Sequence, residues 1–350
     1  MTSTRATVVK LGSSLIANDD GEPRHELVAQ VASDLTAHLE RGLPVAVVSS
    51  GAIALGRRKT GHASRHVSRL AHLQAASALG QAELQQLWQR AFDPHGLHVA
   101  QVLLTATDVN ERRSYLNVRD ALTALFHARA VPVISENDAT ATDEISFGDN
   151  DVLAAQTAVL LRAQRLVLLT NVDGILAMPP EGGRSAVVAH GDEVDEAMFG
   201  PGSRLGRGGI ASKVAAARLA AAGGVETFVA SPASLGELLA GGHAGTRFAP
   251  RSESEPAFKL WLRHGVRVTS RLTVDDGAVA AIRDGGASLL AVGVVDWSDD
   301  FRAGDGILIC DRAHEPVARG LAALDASLLA DRPRDTEVVH RDRLVLTSEV

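Results

Sequence analysis

The chain has 350 residues and a mass of 36.7 kDa, room for about two domains. At 45% hydrophobic and 22% charged residues it is not globally disordered, and a net charge of −7 excludes a chain-wide footprint on nucleic acid or anionic membrane. A single cysteine, Cys310, excludes an internal disulfide and any cysteine-built zinc site; with no apolar run of membrane-spanning length and no signal-peptide core, the sequence reads as a soluble, cytoplasmic protein.

In chain order, ATVVKL (6–11) reads as a buried strand and is followed by Gly12-Ser13-Ser14. Leu27, Val31, Leu35 and Leu39 repeat every four residues within a predicted helix over 24–41. PVAVVSS (44–50) is a second apolar strand, ending at Gly51. A helix is expected over 69–91, a strand over 98–104, a helix over 115–129 and a strand over 130–135. Then follow a helix over 151–161, a strand over 165–170, an Ala-rich helix over 211–222 and a strand over 225–230. Alternation of apolar strands with helices predicts an α/β fold, a mostly parallel sheet sandwiched by helices, with ligands beyond the carboxyl ends of the strands. The character changes after about Gly245: 1–245 reads as one domain, 246–270 as a linker and 271–350 as a small β-rich domain. LTV (272–274), ILIC (307–310) and EVVHRDRLVL (337–346) are its expected strand regions.

Four Gly- or acid-rich loops point to phosphate and carboxylate chemistry. Of the 35 basic residues only four are Lys (Lys10, Lys59, Lys213, Lys259), so 31 are Arg. A Lys kept in a Gly-rich turn is then a candidate for a compact point charge that Arg's wide fork cannot replace. Lys10 stands beside Gly12, whose backbone can approach an anion closely. Ser49-Ser50-Gly51-Ala52 opens a helix with small residues. Between Glu136 and Asp151 there are six acids (136, 138, 143, 144, 149 and 151) and no base, a crowd that needs a cation: an ammonium-bearing substrate, Mg²⁺ or the two lysines. The fourth loop, Gly206 to Lys213, leads into a helix whose amino end can bind phosphates. Gly206-x-Gly208-x-x-Ala211 formally matches a dinucleotide fingerprint, but it follows a loop instead of a strand. Walker A is absent. Two cationic glycine loops and an acidic strand end therefore describe a phosphoryl-transfer site.

VVKLGSS, VVSSGAIALG, SENDATAT, GDNDVLAAQ, LLTNVDG and GRGGIASK resemble, in order and spacing, the amino-acid kinase family, and within it the glutamate-phosphorylating members. The tail TVDDGAVAAI…GASLL…GVV, with VVHRDRLVL after it, resembles the PUA domain that many bacterial members carry and that acetylglutamate and uridylate kinases lack. The resemblance implies ATP- and Mg²⁺-dependent phosphorylation of the L-glutamate γ-carboxylate to L-glutamyl 5-phosphate, the first step of proline biosynthesis. It also implies a homo-oligomer, dimer or tetramer, inhibited by proline. Carried over by position, Lys10, Asp151 and Lys213 are catalytic. Ser50, Gly51, Ala52, Asp138 and Asn150 line the glutamate site, with Asp138 near the substrate ammonium. Lys10, Gly12, Thr170, Asn171, Arg207, Gly208, Gly209, Ile210, Ala211, Ser212 and Lys213 border the nucleotide. No residue is assigned to a metal. The family usually has Asn where Ser135 stands and Asp where Asn171 stands. PUA domains of RNA-modifying enzymes bind RNA, but residues 271–350 hold nine basic and 15 acidic residues, net −6, which favours a structural or regulatory role.

Overall fold

The computed structural model describes residues 5–59, 70–105, 108–109, 112–139, 150–177, 186–194, 209–251, 259, 262–263, 266, 268–298, 300–329 and 336–347. The chain divides into two compact units, Met1–Ser254 and Glu255–Val350.

The first unit is built on a seven-stranded sheet of β1 (Thr7–Leu11), β2 (Val45–Ser49), β3 (Val99–Leu104), β4 (Val131–Glu136), β5 (Arg165–Leu169), β6 (Glu226–Ala230) and β7 (Thr246–Phe248). Their order is β3-β4-β2-β1-β5-β6-β7, parallel throughout except for the antiparallel edge strand β7. Every residue of β1, β2 and β5 is buried, as β-branched and aliphatic runs are when helices cover both faces of a parallel sheet. On one face Val9, Leu11, Val45, Val47, Val167, Leu169, Phe228 and Ala230 share a core with α2 (His25–Glu40), α4 (Leu70–Phe92) and α8 (Leu235–Leu239). Strand alternation sends Val8 and Lys10 to the other face. There lies α6 (Asn150–Leu161), all twelve residues buried, packed with α7 (Ile210–Ala222) and α5 (Arg112–His127). Near the amino ends of the strands, ion pairs Arg165–Glu226 (2.6 Å) and Arg247–Glu226 (2.8 Å) tie β5, β6 and β7 together. The carboxyl ends of β1, β2, β4 and β5 carry the loops singled out in the sequence.

The expected strands and helices of this unit lie within a few residues of the observed ones. The linker does not: residues 246–248, expected to begin it, form β7, because Thr246 Oγ1 donates to the Val188 carbonyl (2.6 Å) and accepts from Ile175 N (2.8 Å). Most of the remaining linker lies outside the described residues.

One helix pair has a direct bearing on the site. α3 (Ala52–Lys59) crosses α4 at Gly56 and Gly80; a Cβ on Gly80 would overlap the Ala52 carbonyl, and one on Gly56 the Ala76 carbonyl. Alanine at position 80 would gain about 1 kcal/mol of helix propensity, but a backbone carbonyl cannot rotate away and overpacking costs about 1–3 kcal/mol or more. Gly80→Ala is therefore expected to destabilise the protein by a net ~2 kcal/mol. Urea unfolding measures this, and a variant at least as stable as the parent contradicts the crossing.

The second unit has a five-stranded sheet, β10 (Val294–Ser298), β8 (Val268–Val274), β11 (Gly306–Cys310), β12 (Pro316–Leu321) and β14 (Leu344–Leu346), in that order. A separate pair joins β9 (Leu289–Leu290) to β13 (Glu337–Val339). Leu272, Val274, Phe301, Ile307, Ile309, Val317 and Val338 share its core. The run 337–346 is not one strand: a turn at Arg341–Arg343 splits it, with Asp342 N donating to His340 Nδ1 (3.1 Å). The unit also contains a helix, α9 (Asp276–Gly285), capped by Asp275, which accepts from Ala278 N (2.8 Å), and ended by Gly286 in the left-handed conformation. Among the described residues no helix is long and apolar enough to cross a membrane.

Candidate functional site

Three buried charges from three elements meet beyond the centre of the sheet. β1, flanked by β2 and β5, supplies Lys10; α6 supplies Asp151 in its first turn, and α7 supplies Lys213 in its first turn. Lys10 Nζ pairs with Asp151 Oδ1, and Lys213 Nζ with Asp151 Oδ2 at 3.0 Å. Ser212 Oγ donates to the same carboxylate at 3.2 Å. Relative exposures are 2% for Lys10, 0% for Asp151 and 6% for Lys213, so water does little to screen the group. Burial alone would raise the Asp151 pKa, but the charges of Lys10 and Lys213, with their hydrogen bonds, hold it below the ordinary carboxylate value. Two cations against one anion leave a fixed excess positive charge, and such a centre attracts an incoming anion.

Anion-binding features surround this centre. A Cβ at Gly12 would lie 3.8 Å from Lys10 Nζ, which places that backbone turn against the ammonium. Gly12 and Gly209 precede α1 (Ser13–Ile16) and α7 as N-cap residues that supply no side-chain cap. Asn171 Nδ2 donates to Ser14 Oγ (3.0 Å), joining the loop after β5 to the loop after β1, while Thr170 N donates to the Ala230 carbonyl (2.9 Å). Arg207 and Gly208 lie outside the described residues.

The other side of the centre holds the loops after β2 and β4. Ser50 N donates to the Leu11 carbonyl (3.0 Å), fixing the second loop to the first. Gly51 has φ +113°, and a Cβ there would come within 2.6 Å of Ile16 Cγ2, so glycine is required on both counts. It turns the chain into α3, whose first residue is Ala52. Asn150 Oδ1 accepts from Glu136 N (3.1 Å), tying the start of α6 to the end of β4. Ser135 Oγ donates to the Ser49 carbonyl (2.8 Å), a tie between β4 and β2. Asp138 is buried and accepts from Ser77 Oγ (2.6 Å); burial pushes its pKa up, and that hydrogen bond opposes the rise.

The structure thus brings Lys10, Asp151 and Lys213 into contact, with Gly12 and Ser212 beside them. Of the acids in this stretch, Asp151 is held by the lysines and Asp138 by Ser77, while Asp143, Glu144 and Asp149 lie outside the described residues. Sequence reasoning missed Ser77, which sits among small residues in QAASALG with nothing to mark it.

The model of the amino acid kinase family matches residues 5–231, and that of the PUA domain matches residues 270–339. The chain is 40% identical to the glutamate 5-kinase of Alcanivorax borkumensis, over 99% of this chain and 97% of that one. It is 40% identical to that of Chromohalobacter salexigens, over 98% and 96% respectively. Among solved structures, a Giardia carbamate kinase superposes with a TM-score of 0.51 at 15% identity, covering 71% of this chain and all of that one.

Proposed function

The chain belongs to the amino acid kinase family, and from that premise we propose that Lys10, Asp151 and Lys213 carry the transfer of a phosphoryl group from ATP to a carboxylate. The activity is ATP-dependent phosphorylation of the L-glutamate γ-carboxylate to L-glutamyl 5-phosphate, the first step in making proline from glutamate. The observation that carries the assignment of residues is the buried triad, two ammonium groups held by one carboxylate.

A carboxylate nucleophile is already ionised at neutral pH, so no general base is needed. The barrier lies in pressing two anions together. Lys10 and Lys213 lower it by facing the charge that accumulates on the transferring group, from positions set before substrate arrives. Asp151 accepts no proton in this scheme; it spaces and orients the two ammonium groups. Ser50, Gly51, Ala52, Asp138 and Asn150 receive glutamate, with Asp138 set against its α-ammonium. Gly12, Thr170, Asn171 and residues 207–213 receive the nucleotide.

Kinases that use ATP take it with a divalent metal, and we assign Mg²⁺ as the ion carried in on the phosphates. Both Asp151 oxygens are occupied by lysines, and no group of three or more His, Cys, Asp or Glu among the described residues could cage an ion. In this reading the chain itself contributes lysine charge and backbone N–H groups. A cytoplasmic homo-oligomer, dimer or tetramer, with feedback inhibition by proline, completes the reading. The second domain, net −6 over residues 271–350, has a structural or regulatory role in it, with RNA binding disfavoured.

The test is ATP consumption with Mg²⁺ and hydroxylamine, comparing L-glutamate, N-acetyl-L-glutamate and UMP. Hydroxamate formed only with L-glutamate is the expected result. Turnover confined to the acylated or nucleotide substrate would overturn the substrate assignment and leave the phosphoryl site standing.

A further inference from the structure

Ser77 lies in the middle of α4, 1% exposed, on a face otherwise made of Ala76, Gly80, Leu84 and Leu87. Alanine would serve the packing there equally well, and a helical serine commonly turns its hydroxyl back on its own preceding turn. Ser77 instead donates across to Asp138 Oδ2, in the loop after β4, at 2.6 Å. That length is typical of a hydroxyl bonded to an ionised carboxylate. One turn further along the same helix, Gly80 meets the Ala52 carbonyl of the loop after β2. A single helix thus fixes both loops assigned to glutamate, one through a packed glycine and the other through a hydroxyl.

We infer that Ser77 is a positioning residue for amino-acid recognition: it holds Asp138 by Oδ2 and so presents Oδ1 to the α-ammonium of the substrate. This rests on the reading of Asp138 as the ammonium's partner. Its physical sense is clear from the burial of Asp138. A carboxylate removed from water drifts toward its neutral form, which binds an ammonium poorly; a donor that prefers the ionised form counters the drift.

The experiment is steady-state kinetics on the full chain. Ser77→Ala is expected to raise the KM for L-glutamate about tenfold, the size of one lost hydrogen bond to a charged group. The kcat and the KM for ATP should change by less than about twofold. The acid limb of kcat/KM for glutamate should move to higher pH, because the Asp138 carboxylate has lost its donor. Ser77→Thr restores the hydroxyl and should bring both quantities back. Unchanged glutamate KM in Ser77→Ala overturns the inference. So does a fall in kcat and Tm together with an unmoved acid limb, which would mark a packing role. Asp138→Asn separates the two levels: if it raises the glutamate KM and Ser77→Ala does not, only the positioning role fails. If neither variant raises it while wild-type turnover depends on glutamate, the ammonium assignment fails as well.

Discussion

Lys213→Ala and Lys10→Ala are each expected to lower kcat by about 10²–10³, the loss seen when one preorganised donor is removed from a charge-developing transition state. The effect belongs in kcat, because the charge each lysine meets is greatest when the phosphoryl group lies between two anions. It is separable from folding. Removing one lysine leaves Asp151 with the other ammonium as partner, so no buried charge is stranded. Arginine is expected to rescue neither variant: Lys10 and Lys213 are 2% and 6% exposed, and a guanidinium fork needs more room and a different donor geometry than a point charge. Turnover with saturating Mg·ATP and L-glutamate decides the matter; near-normal kcat in either alanine variant removes that lysine from the mechanism.

This arrangement was legible in the sequence to an uneven degree. In a chain that uses Arg for 31 of its 35 Lys and Arg positions, the two lysines of the Gly-rich motifs VVKLGSS and GRGGIASK stood out. The parallel sheet was legible too, since strands buried on both faces leave unbroken apolar runs such as TVVKL and RLVLL. That the acids after β4 divide between separate partners was not legible. Asp138 and Asp151 belong to one acidic stretch of the sequence, yet the helix that begins at Asn150 carries Asp151 to the lysines, while Asp138 stays with Ser77, 61 residues away. Such a bond depends on tertiary packing of α4 and leaves no local pattern. β7 escaped for a similar reason: three residues at a sheet edge, held partly by the Thr246 side chain, are too few for periodicity. The helix Asp276–Gly285 is different, because its signals were present. Asp275 before an apolar run and Gly286 after it are a start and a stop, and the expectation of a β-rich domain passed over them.

Asp151→Asn is expected to cost about 3–5 kcal/mol of stability as well as activity, the largest effect on folding among these substitutions. The neutral amide leaves Lys10 and Lys213 facing each other in a site shielded from water, and its NH₂ group adds donors where the lysines need acceptors. The pH dependence follows from the direction of the Asp151 shift. Its folded-state pKa lies below the unfolded value, so its contribution is fully present above the unfolded pKa of about 4 and is lost as pH falls through the folded one. The stability gap between parent and variant should therefore be widest at neutral pH and narrow on acidification below about pH 4, as urea unfolding across that range would record. A variant as stable as the parent at pH 7 would mean that the ammonium groups do not depend on this carboxylate. The triad is nonetheless poor evidence of selection for stability. Burying three charges carries a desolvation cost that well-packed apolar side chains of similar volume avoid. Lys10→Met/Asp151→Leu/Lys213→Met is accordingly expected to unfold at a urea concentration no lower than the parent while turning over no substrate. Stability preserved without activity would place the reason for these charges in the chemistry; a triple variant that failed to fold would place it in the architecture.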